Sequence, residues 1–239
     1  MTTAKVATAG WTIPRAVAGQ FPAEGAGLER YATRFDAVEI NTTFYRSHQA
    51  STYARWVAAT PPQFRFAVKL PRTITHEARL IGAIPLVEAF RTEALQLGER
   101  LGPLLVQLPP SLAFDPAVAG PFFEGVRGLW AGFIVCEPRH GSWFEAEADA
   151  LLAAHQVGRV AADPARHPAA ATPGGWKGFR YWRLHGSPRM YFSPYDEAFL
   201  RALASDIQAE PAETWCVFDN TASGAAAANA LSLQAILSE

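Results

Sequence analysis

The chain has 239 residues, of which 49% are hydrophobic and 18% are charged, and its 21 Lys and Arg nearly balance 22 Asp and Glu. This composition excludes a disordered or low-complexity chain and predicts a sizeable buried core. A formal net charge of -1 provides no long-range field to gather phosphate backbones, which argues against general nucleic-acid binding.

The apolar segments are short. None approaches the roughly 18 to 20 residues that a membrane-spanning helix needs, so we expect no membrane partner. The segment Met1 to Trp11 lacks the pattern of a secretory signal, and we expect a cytoplasmic protein. Cys136 and Cys216 each lie in an apolar run, which is typical of reduced thiols in a core rather than of a disulfide.

Eight short apolar runs that end in a polar residue recur along the chain and are predicted strands. They are Lys5–Gly10, Ala37–Asn41, Phe64–Lys69, Leu104–Leu108, Gly132–Glu137, Val157–Asp163, Arg180–Gly186 and Thr214–Asn220. Segments with helical spacing separate them: Gly27–Phe35, Ser51–Ala59, Pro85–Leu101, Pro116–Leu129, Glu145–His155, Asp196–Ile207 and Ala225–Leu237. Strands that alternate with helices predict an α/β fold with a parallel sheet.

Eight strand-helix units in about 250 residues are typical of a (β/α)8 barrel, and we predict one such TIM-like barrel domain over residues 1–239. Pro164–Gly178 is rich in Ala, Pro and Gly and offers no helix. We therefore expect the barrel to be irregular between its sixth and seventh strands.

Polar residues fall at the ends of these strands with a constant parity. Because side chains alternate across a strand, Glu39 and Asn41 share one face while Val38 and Ile40 share the other. The same alternation selects Lys69, Gln107, Glu137, Asp163, Arg183 and His185, and Asp219 lies at the end of the eighth predicted strand. We expect all of them to meet at the mouth formed by the carboxyl ends of the strands, where the active sites of such barrels lie.

Several motifs have a recognisable order: Val38–Tyr45, Leu104–Pro109, Glu137 with Arg139–His140 and Ser142–Trp143, and Arg183–Gly186. In combination they resemble the YecE-like family, catalogued as domain of unknown function seventy-two, over nearly the whole chain. The resemblance implies a fold similar to a TIM barrel and no established reaction. Asp219-Asn220 stands where that family usually has two asparagines, so a carboxylate replaces an amide.

We predict four catalytic residues at the mouth: Glu39, Glu137, His185 and Lys69. Two carboxylates on separate strands of a partly dry site can be given different pKa values, so Glu39 and Glu137 are the expected acid-base pair. In the alternative interpretation, Glu39 is paired permanently with Lys69 or Arg183 as part of the scaffold. His185 is the first candidate for proton transfer among the histidines, and His76 is the second.

The remaining candidates are ligand-binding residues: Asn41, Tyr45, His76, Gln107, Arg139, Trp143, Asp163, Arg183, Asp219, Asn220 and Ser223. Aromatic faces beside amides and arginines suit a sugar or a nucleoside. We expect Arg183 and the start of the helix near Ser223 to bind one anionic group together.

Three functions compete at this stage. The first is a hydrolase, lyase or isomerase that uses acid-base chemistry on a small polar, anionic, sugar-like or nucleotide-like ligand. The second is a non-catalytic barrel that binds a metabolite or a partner. The third is a metal-dependent phosphoesterase acting on nucleic acid, an analogy based on fold alone.

We assign no cofactor and no metal ligand. The side chains of Glu39, Glu137, Asp163, His185 and Asp219 are of types that bind Zn, Mn or Mg. The cations expected at the same rim, Lys69, Arg139 and Arg183, would repel a metal ion and attract an anion instead.

Overall fold

The computed structural model describes residues 4–239; residues 1–3, which belong to the segment examined for a secretory signal, lie outside the described residues. Within residues 4–239 the strands are β1 Ala4–Thr8, β2 Ala37–Ile40, β3 Arg65–Lys69, β4 Leu101–Gln107, β5 Ile134–Glu137, β6 Val157–Arg159, β7 Ala161–Asp163, β8 Gly174–Gly175, β9 Phe179–Leu184 and β10 Glu213–Phe218. The α-helices are α1 Gly27–Tyr31, α2 Ala50–Ala58, α3 Ile84–Ala94, α4 Pro116–Leu129, α5 Ala146–Ala154, α6 Glu197–Gln208 and α7 Ala225–Leu237.

The strands form two sheets. One has the order β1-β10-β9-β7 and is parallel throughout. The other has the order β2-β3-β4-β5-β6-β8 and is parallel except for β8, which runs antiparallel to β6. The fold is thus a mixed α/β fold with two parallel sheets, and the single closed barrel expected from the sequence is not confirmed.

The two sheets adjoin at two places. An isolated parallel bridge links Ala9, just after β1, to Glu39 in β2, and the amide N–H of Gly10 donates to the carbonyl of Glu39 at 2.9 Å. At the other junction only Val160 separates β6 from β7. The two sheets are therefore adjacent at the first place through a bridge between strands, and at the second through one chain segment whose first part pairs in one sheet and whose last part pairs in the other.

Each sheet has one face against the helices and one face turned inward, as the alternation predicts. Val38 and Ile40 of β2 belong to the larger hydrophobic cluster, which includes buried residues of the helices. A second cluster contains inward-facing residues of both sheets: Ala7, Ala37, Ala67, Leu105, Val135, Val160, Phe179, Tyr181, Trp215 and Val217. The two sheets consequently share one interior. The polar residues at the carboxyl ends of the strands face the same interior.

The helices follow the sequence pattern with local differences. The predicted bounds of Pro116–Leu129 and Ala225–Leu237 are confirmed at both ends. The helix predicted over Pro85–Leu101 changes after Ala94 into a 3-10 helix, which contains Gly98 with a φ of 56°. A residue with that φ interrupts an α-helix, and glycine adopts it without the clash of a Cβ atom.

The irregular segment predicted at Pro164–Gly178 is present. It contains a 3-10 helix over Pro168–Ala171 and the two-residue strand β8, which pairs with β6. A pair of glycines carries no side-chain pattern, so β8 had no signal in the sequence.

The two apolar runs that contain the cysteines lie in the core. Cys136 in β5 and Cys216 in β10 are buried free thiols, as predicted. Across residues 4–239, the helices are all too short or too polar to cross a lipid bilayer.

Candidate functional site

A buried group of charged side chains lies inside the carboxyl ends of the strands. We call it the Arg183 cluster, and its members are Arg183, Glu39, Glu137, His185, Asp219 and Tyr181. They extend from β2, β5, β9 and the residues just after β9 and β10. The cluster therefore joins both sheets.

Arg183 is at the centre and its side chain is fully buried. Its Nε and Nη2 donate to the two carboxylate oxygens of Glu39 at 3.0 and 2.7 Å. Its Nη1 donates to Glu137 Oε2 at 2.6 Å, and Nη2 also donates to Asp219 Oδ2 at 3.1 Å. A planar guanidinium with several fixed donors suits such a set of carboxylates, whereas one ammonium group could not reach them all in this geometry.

His185 lies between two of these carboxylates. Its Nε2 is 2.9 Å from Glu137 Oε1 and its Nδ1 is 3.1 Å from Asp219 Oδ2. A neutral imidazole donates from only one nitrogen, so two carboxylate partners favour the imidazolium. Burial alone would lower the pKa of His185, but Glu137 and Asp219 raise it above 6.5.

The carboxylates are held in the ionised form. Although burial by itself raises the pKa of a carboxyl group, Arg183 and His185 keep the pKa of Glu137 well below its ordinary value. Arg183 and His185 also lower the pKa of Asp219 against the effect of burial. Both groups are therefore acceptors across the neutral pH range.

Glu39 differs from the expected acid-base residue. It is 0% exposed, and in addition to Arg183 it accepts a hydrogen bond from the hydroxyl of Tyr181 at 2.9 Å. Glu137 is 1% exposed. The structure does not bring Glu39 to a ligand-accessible surface, and its geometry fits the alternative interpretation of a permanent pair with Arg183.

A cavity of about 430 Å³ opens above the Arg183 cluster. We call it the mouth cavity, and its walls are Asn41, Phe44, Tyr45, Lys69, His76, Gln107, Arg139, Tyr191, Phe192, Asp219, Thr221 and Ala222. Seven of the predicted site residues are in this set: Asn41, Tyr45, Lys69, His76, Gln107, Arg139 and Asp219. Asp219 belongs to both the cavity and the cluster, so it connects them.

Lys69 ends β3 and is 5% exposed. Its Nζ donates to Asn41 Oδ1 at 3.2 Å and lies 4.1 Å from the centre of the Phe44 ring. The 3-10 helix Asn41–Phe44, which directly follows β2, supplies both contacts. Burial and the charge of Arg183 lower the pKa of Lys69 from 10.5 to about 8, so its amine titrates close to neutrality.

Arg139 and His76 complete the polar wall. Arg139 Nη2 donates to Glu137 Oε1 at 3.2 Å, and its side chain remains 16% exposed. His76 packs edge-on against Phe44 at 4.9 Å. Burial and the charges of Lys69 and Arg139 lower the pKa of His76 below 6.5, so its imidazole is neutral at pH 7.

Tyr191 and Phe192 were not predicted. They lie in the loop between β9 and α6 and line the mouth cavity while remaining 38% and 39% exposed. Tyr191 has a φ of 68°, a value rare for a bulky residue, and its ring lies 5.8 Å from that of His185. The loop has no hydrophobic period, and only its aromatic residues could have drawn attention to it.

Four predicted ligand-binding residues lie elsewhere, and Asp163 is the first of them. Its carboxylate accepts from the Tyr195 hydroxyl at 2.8 Å. The neighbouring Ala162, not Asp163, lies beside Glu137 and His185. The expected parity was shifted by one residue here, because Val160 and Ala162 are the inward positions of this strand segment.

Trp143, Asn220 and Ser223 have structural contacts instead. Trp143 is 1% exposed, and its indole N–H donates to the carbonyl of Leu112 at 2.9 Å. Asn220 is buried, and its amide donates to the carbonyl of Ser193 and to Asn229 Oδ1, both at 3.0 Å. The Ser223 hydroxyl donates to the carbonyl of Phe192. These contacts fasten the loops around the mouth, and none of the three residues lines the mouth cavity.

The expected joint binding of an anion by Arg183 and the helix near Ser223 has no geometric basis. Arg183 has zero exposure, and three carboxylates take its hydrogen bonds. The cations on the mouth cavity are Lys69 and Arg139 instead.

The candidate metal-ligand types are not arranged as a metal centre. Within residues 4–239, no group of three or more His, Cys, Asp or Glu side chains is placed to hold a metal ion. The carboxylates of Glu39, Glu137 and Asp219 are paired with Arg183. The carboxylate of Asp163 accepts a hydrogen bond from the Tyr195 hydroxyl instead.

Comparison with known proteins identifies the class. Residues 5–239 match the family described as "Protein of unknown function DUF72", and the chain belongs to this family. The resemblance inferred from the motifs around Glu39 and Glu137 is thereby confirmed.

Two curated relatives match shorter segments. The chain is 42% identical over 82 residues to UPF0759 protein YecE of Escherichia coli K12, and 31% identical over 91 residues to UPF0759 protein YunF of Bacillus subtilis 168. These segments make up 34% and 35% of this chain and 30% and 32% of the relatives. The aligned part thus spans about a third of each curated relative.

Solved structures agree with the fold over the whole length. A DUF72 family protein of Enterococcus faecalis V583 has a TM-score of 0.82 at 20% identity, with 99% of this chain and 96% of that chain covered. A DUF72 family protein of Thermotoga maritima MSB8 has a TM-score of 0.81 at 26% identity, with 99% of both chains covered. The first likeness shows the fold alone.

Proposed function

We propose that this protein is an enzyme that binds a small, polar, anionic compound in the mouth cavity and transfers protons to and from it. The observation that carries the proposal is the presence of Lys69 and Arg139 on one cavity of about 430 Å³. A cavity of this size lies within the range of small-molecule sites, which is about 300 to 1,000 Å³.

The scaffold of this enzyme is one (β/α)8 barrel domain. The bridge between Ala9 and Glu39 and the single residue Val160 between β6 and β7 support a continuous ring of strands. Active sites of such barrels lie at the carboxyl ends of the strands, which is where the mouth cavity opens.

Arg139 binds the anionic group of the ligand. Its Nε and Nη2 donate to Glu137 Oε1, while the side chain still lines the cavity. Part of its planar set of donors is therefore free for a phosphate or a carboxylate. The amides of Asn41 and Gln107 can bind hydroxyl groups, and the rings of Phe44, Tyr45 and Tyr191 provide the aromatic faces that suit a sugar-like ligand.

Lys69 transfers the proton. A general acid or base is most effective when its pKa lies near the working pH, and the Lys69 pKa of about 8 meets this condition. In residues 4–239 no carboxylate forms a salt bridge with Lys69, so its amine is not neutralised by a fixed partner. The Arg183 cluster lies behind Lys69 and fixes the positions of its own charged side chains there.

The first test is anion binding. Calorimetric titration with inorganic phosphate and with triose and hexose phosphates should show binding that Arg139→Gln weakens by about tenfold or more, since a charge-assisted hydrogen bond contributes about 1.5 to 3 kcal/mol. Arg201→Gln, at a half-exposed side chain of α6 that does not line the cavity, is the matched control and should bind as the unaltered protein does. Absence of binding by the unaltered protein would refute the anionic ligand.

The second test separates an enzyme from a non-catalytic binding protein. In D2O, proton NMR of each bound sugar phosphate should show loss of a C–H signal as deuterium enters, and Lys69→Met should abolish the exchange. Binding without exchange or turnover for any compound of the panel would favour the non-catalytic alternative.

A further inference from the structure

Lys69 has an unusual position among the amines of the chain. The sequence contains only three lysines, Lys5, Lys69 and Lys177. All three lie within residues 4–239, and of the three Lys69 alone lines the mouth cavity. A chain with 21 Lys and Arg thus has 18 arginines, and it places a lysine rather than an arginine at this point.

We propose that Lys69 is a nucleophile that captures the carbonyl carbon of a small anionic aldehyde or ketone as an imine. This inference rests on the proposed function, because the same cavity and the same anion contact at Arg139 hold the substrate. It adds the substrate class, a carbonyl compound, and the covalent nature of the intermediate, and while Lys69 is bound in the imine the proton transfer passes to a neighbouring side chain of the cavity.

The contacts of Nζ leave it available for this reaction. An ammonium group has three donors, and Nζ uses one of them on Asn41 Oδ1 at 3.2 Å. The Phe44 ring covers another side at 4.1 Å, and the remaining side faces the cavity. Desolvation of a lysine in such surroundings favours the neutral amine, which is the nucleophilic form.

The carbonyl oxygen also has partners in the wall. The side-chain amide of Gln107 is 6% exposed and lines the cavity together with Lys69. Gln107 and Lys69 extend from the ends of neighbouring parallel strands, β4 and β3. An amide N–H next to the attacking amine can therefore stabilise the developing alkoxide.

The step balances within the site. The Nζ lone pair forms a bond to the carbonyl carbon, and the π electrons of the C=O move to oxygen. His76 lines the same cavity as Lys69, and its imidazole is neutral at pH 7. This imidazole can thus accept the nitrogen protons and return them to the oxygen. The C–O bond then breaks, the oxygen leaves as water with the two protons that came from the amine, and no oxidant or reductant is needed.

Reductive trapping tests the proposal directly. The protein is incubated at pH 8 with glyceraldehyde 3-phosphate and cyanoborohydride, which reduces an imine to a stable secondary amine, and the adduct is located by peptide mass spectrometry. Lys5, Lys177 and the α-amino group serve as internal references. From the fraction of neutral amine, we expect Lys69 to react at least about tenfold faster than Lys177.

Variants and a competitor define the site. Lys69→Arg keeps the positive charge but cannot form the imine, so the fast adduct should disappear. Arg139→Gln should remove the preference for glyceraldehyde 3-phosphate over unphosphorylated glyceraldehyde, and inorganic phosphate should slow the labelling. Lys177→Arg, which alters an exposed residue, should leave the labelling of Lys69 unchanged.

The outcomes separate this inference from the proposed function. If Lys69 in the unaltered protein reacts no faster than Lys177, the imine is refuted, and this result does not depend on whether a variant folds. If phosphate still binds through Arg139 in that case, the proposed function stands without the imine. If phosphate does not bind either, both proposals fail.

Discussion

Arg183 and Glu39 form two parallel hydrogen bonds, at 3.0 and 2.7 Å, between side chains that are both 0% exposed. Arg183 lies in β9 of one sheet and Glu39 in β2 of the other. The pair therefore connects the two sheets through the interior, at a position where a lone charge would be strongly unfavourable.

Glu39→Gln should destabilise the protein by about 3 to 5 kcal/mol, because removal of one member of a buried ion pair leaves its partner undercompensated. The free energy of unfolding from urea titration measures the effect. The exposed pair Arg201 and Glu197 offers the control, since Arg201→Ala should leave that free energy unchanged within error. A loss for Glu39→Gln as small as that of the control would show that the pair does not hold the sheets together.

His185 should titrate above 6.5 in the folded protein. Since the folded pKa is raised, its stabilising contribution is fully present below pH 6.5 and is lost as pH rises through the folded pKa. NMR of the imidazole ring protons measures that pKa. Asp219→Asn removes the charge facing Nδ1 and should lower it, with His155, at the end of α5, as the internal reference. A His185 pKa at or below 6.5 in the unaltered protein would contradict the imidazolium assignment.

Lys69→Met should change how stability depends on pH. The folded pKa of about 8 is below the ordinary 10.5, so between these values the unfolded chain binds more protons and the stability of the unaltered protein rises with pH. The advantage of the variant should therefore be largest at pH 7 and shrink by up to about 1 kcal/mol per pH unit above pH 8. Urea titrations from pH 7 to 10 measure it, with Lys177→Met as the matched control. A difference that is constant over this range would refute the lowered pKa.

Gly186→Ala should disturb the loop that carries Tyr191. Gly186 has a φ of 94°, and an added Cβ atom would lie 2.8 Å from the carbonyl oxygen of Ser193. Gly10 has a similar φ of 89° and open space around its Cα, so Gly10→Ala isolates the cost of the backbone conformation, roughly 1 to 2 kcal/mol. Thermal unfolding should show a larger loss for Gly186→Ala, and phosphate binding should weaken only in that variant. Equal losses would mean that the loop accommodates the methyl group.

The sequence predicted which residues meet at the mouth because strand alternation depends on backbone geometry alone. Asn41, Lys69 and Gln107 were placed in this way. Alternation does not reveal partners, however, and so it could not show that Arg183 is occupied by three carboxylates instead of facing a ligand.

The wrong placement of Asp163 and the omission of Tyr191 also arise because a local pattern does not reveal contact partners. Asp163 ends a strand segment whose inward positions, Val160 and Ala162, are apolar. The prediction assumed that the polar residue faces inward, and it therefore assigned Asp163 to the wrong face of the strand. Tyr191 lies in a loop whose path depends on long-range contacts, such as the N–H of Ala222 donating to the carbonyl of Tyr191 at 3.1 Å. Local sequence patterns do not contain those contacts.

Aromatic side chains close the interior on the side of the Arg183 cluster away from the mouth cavity. Phe179 and Trp215, together with Tyr181 of the cluster itself, are at most 1% exposed and fill this part of the interior. Within residues 4–239, a molecule that enters the mouth cavity past Tyr45 and Tyr191 would meet this aromatic layer and have to return by the same opening. In the proposed reaction a long polymer could then not thread through the site, and each product would have to depart before the next molecule reached Lys69.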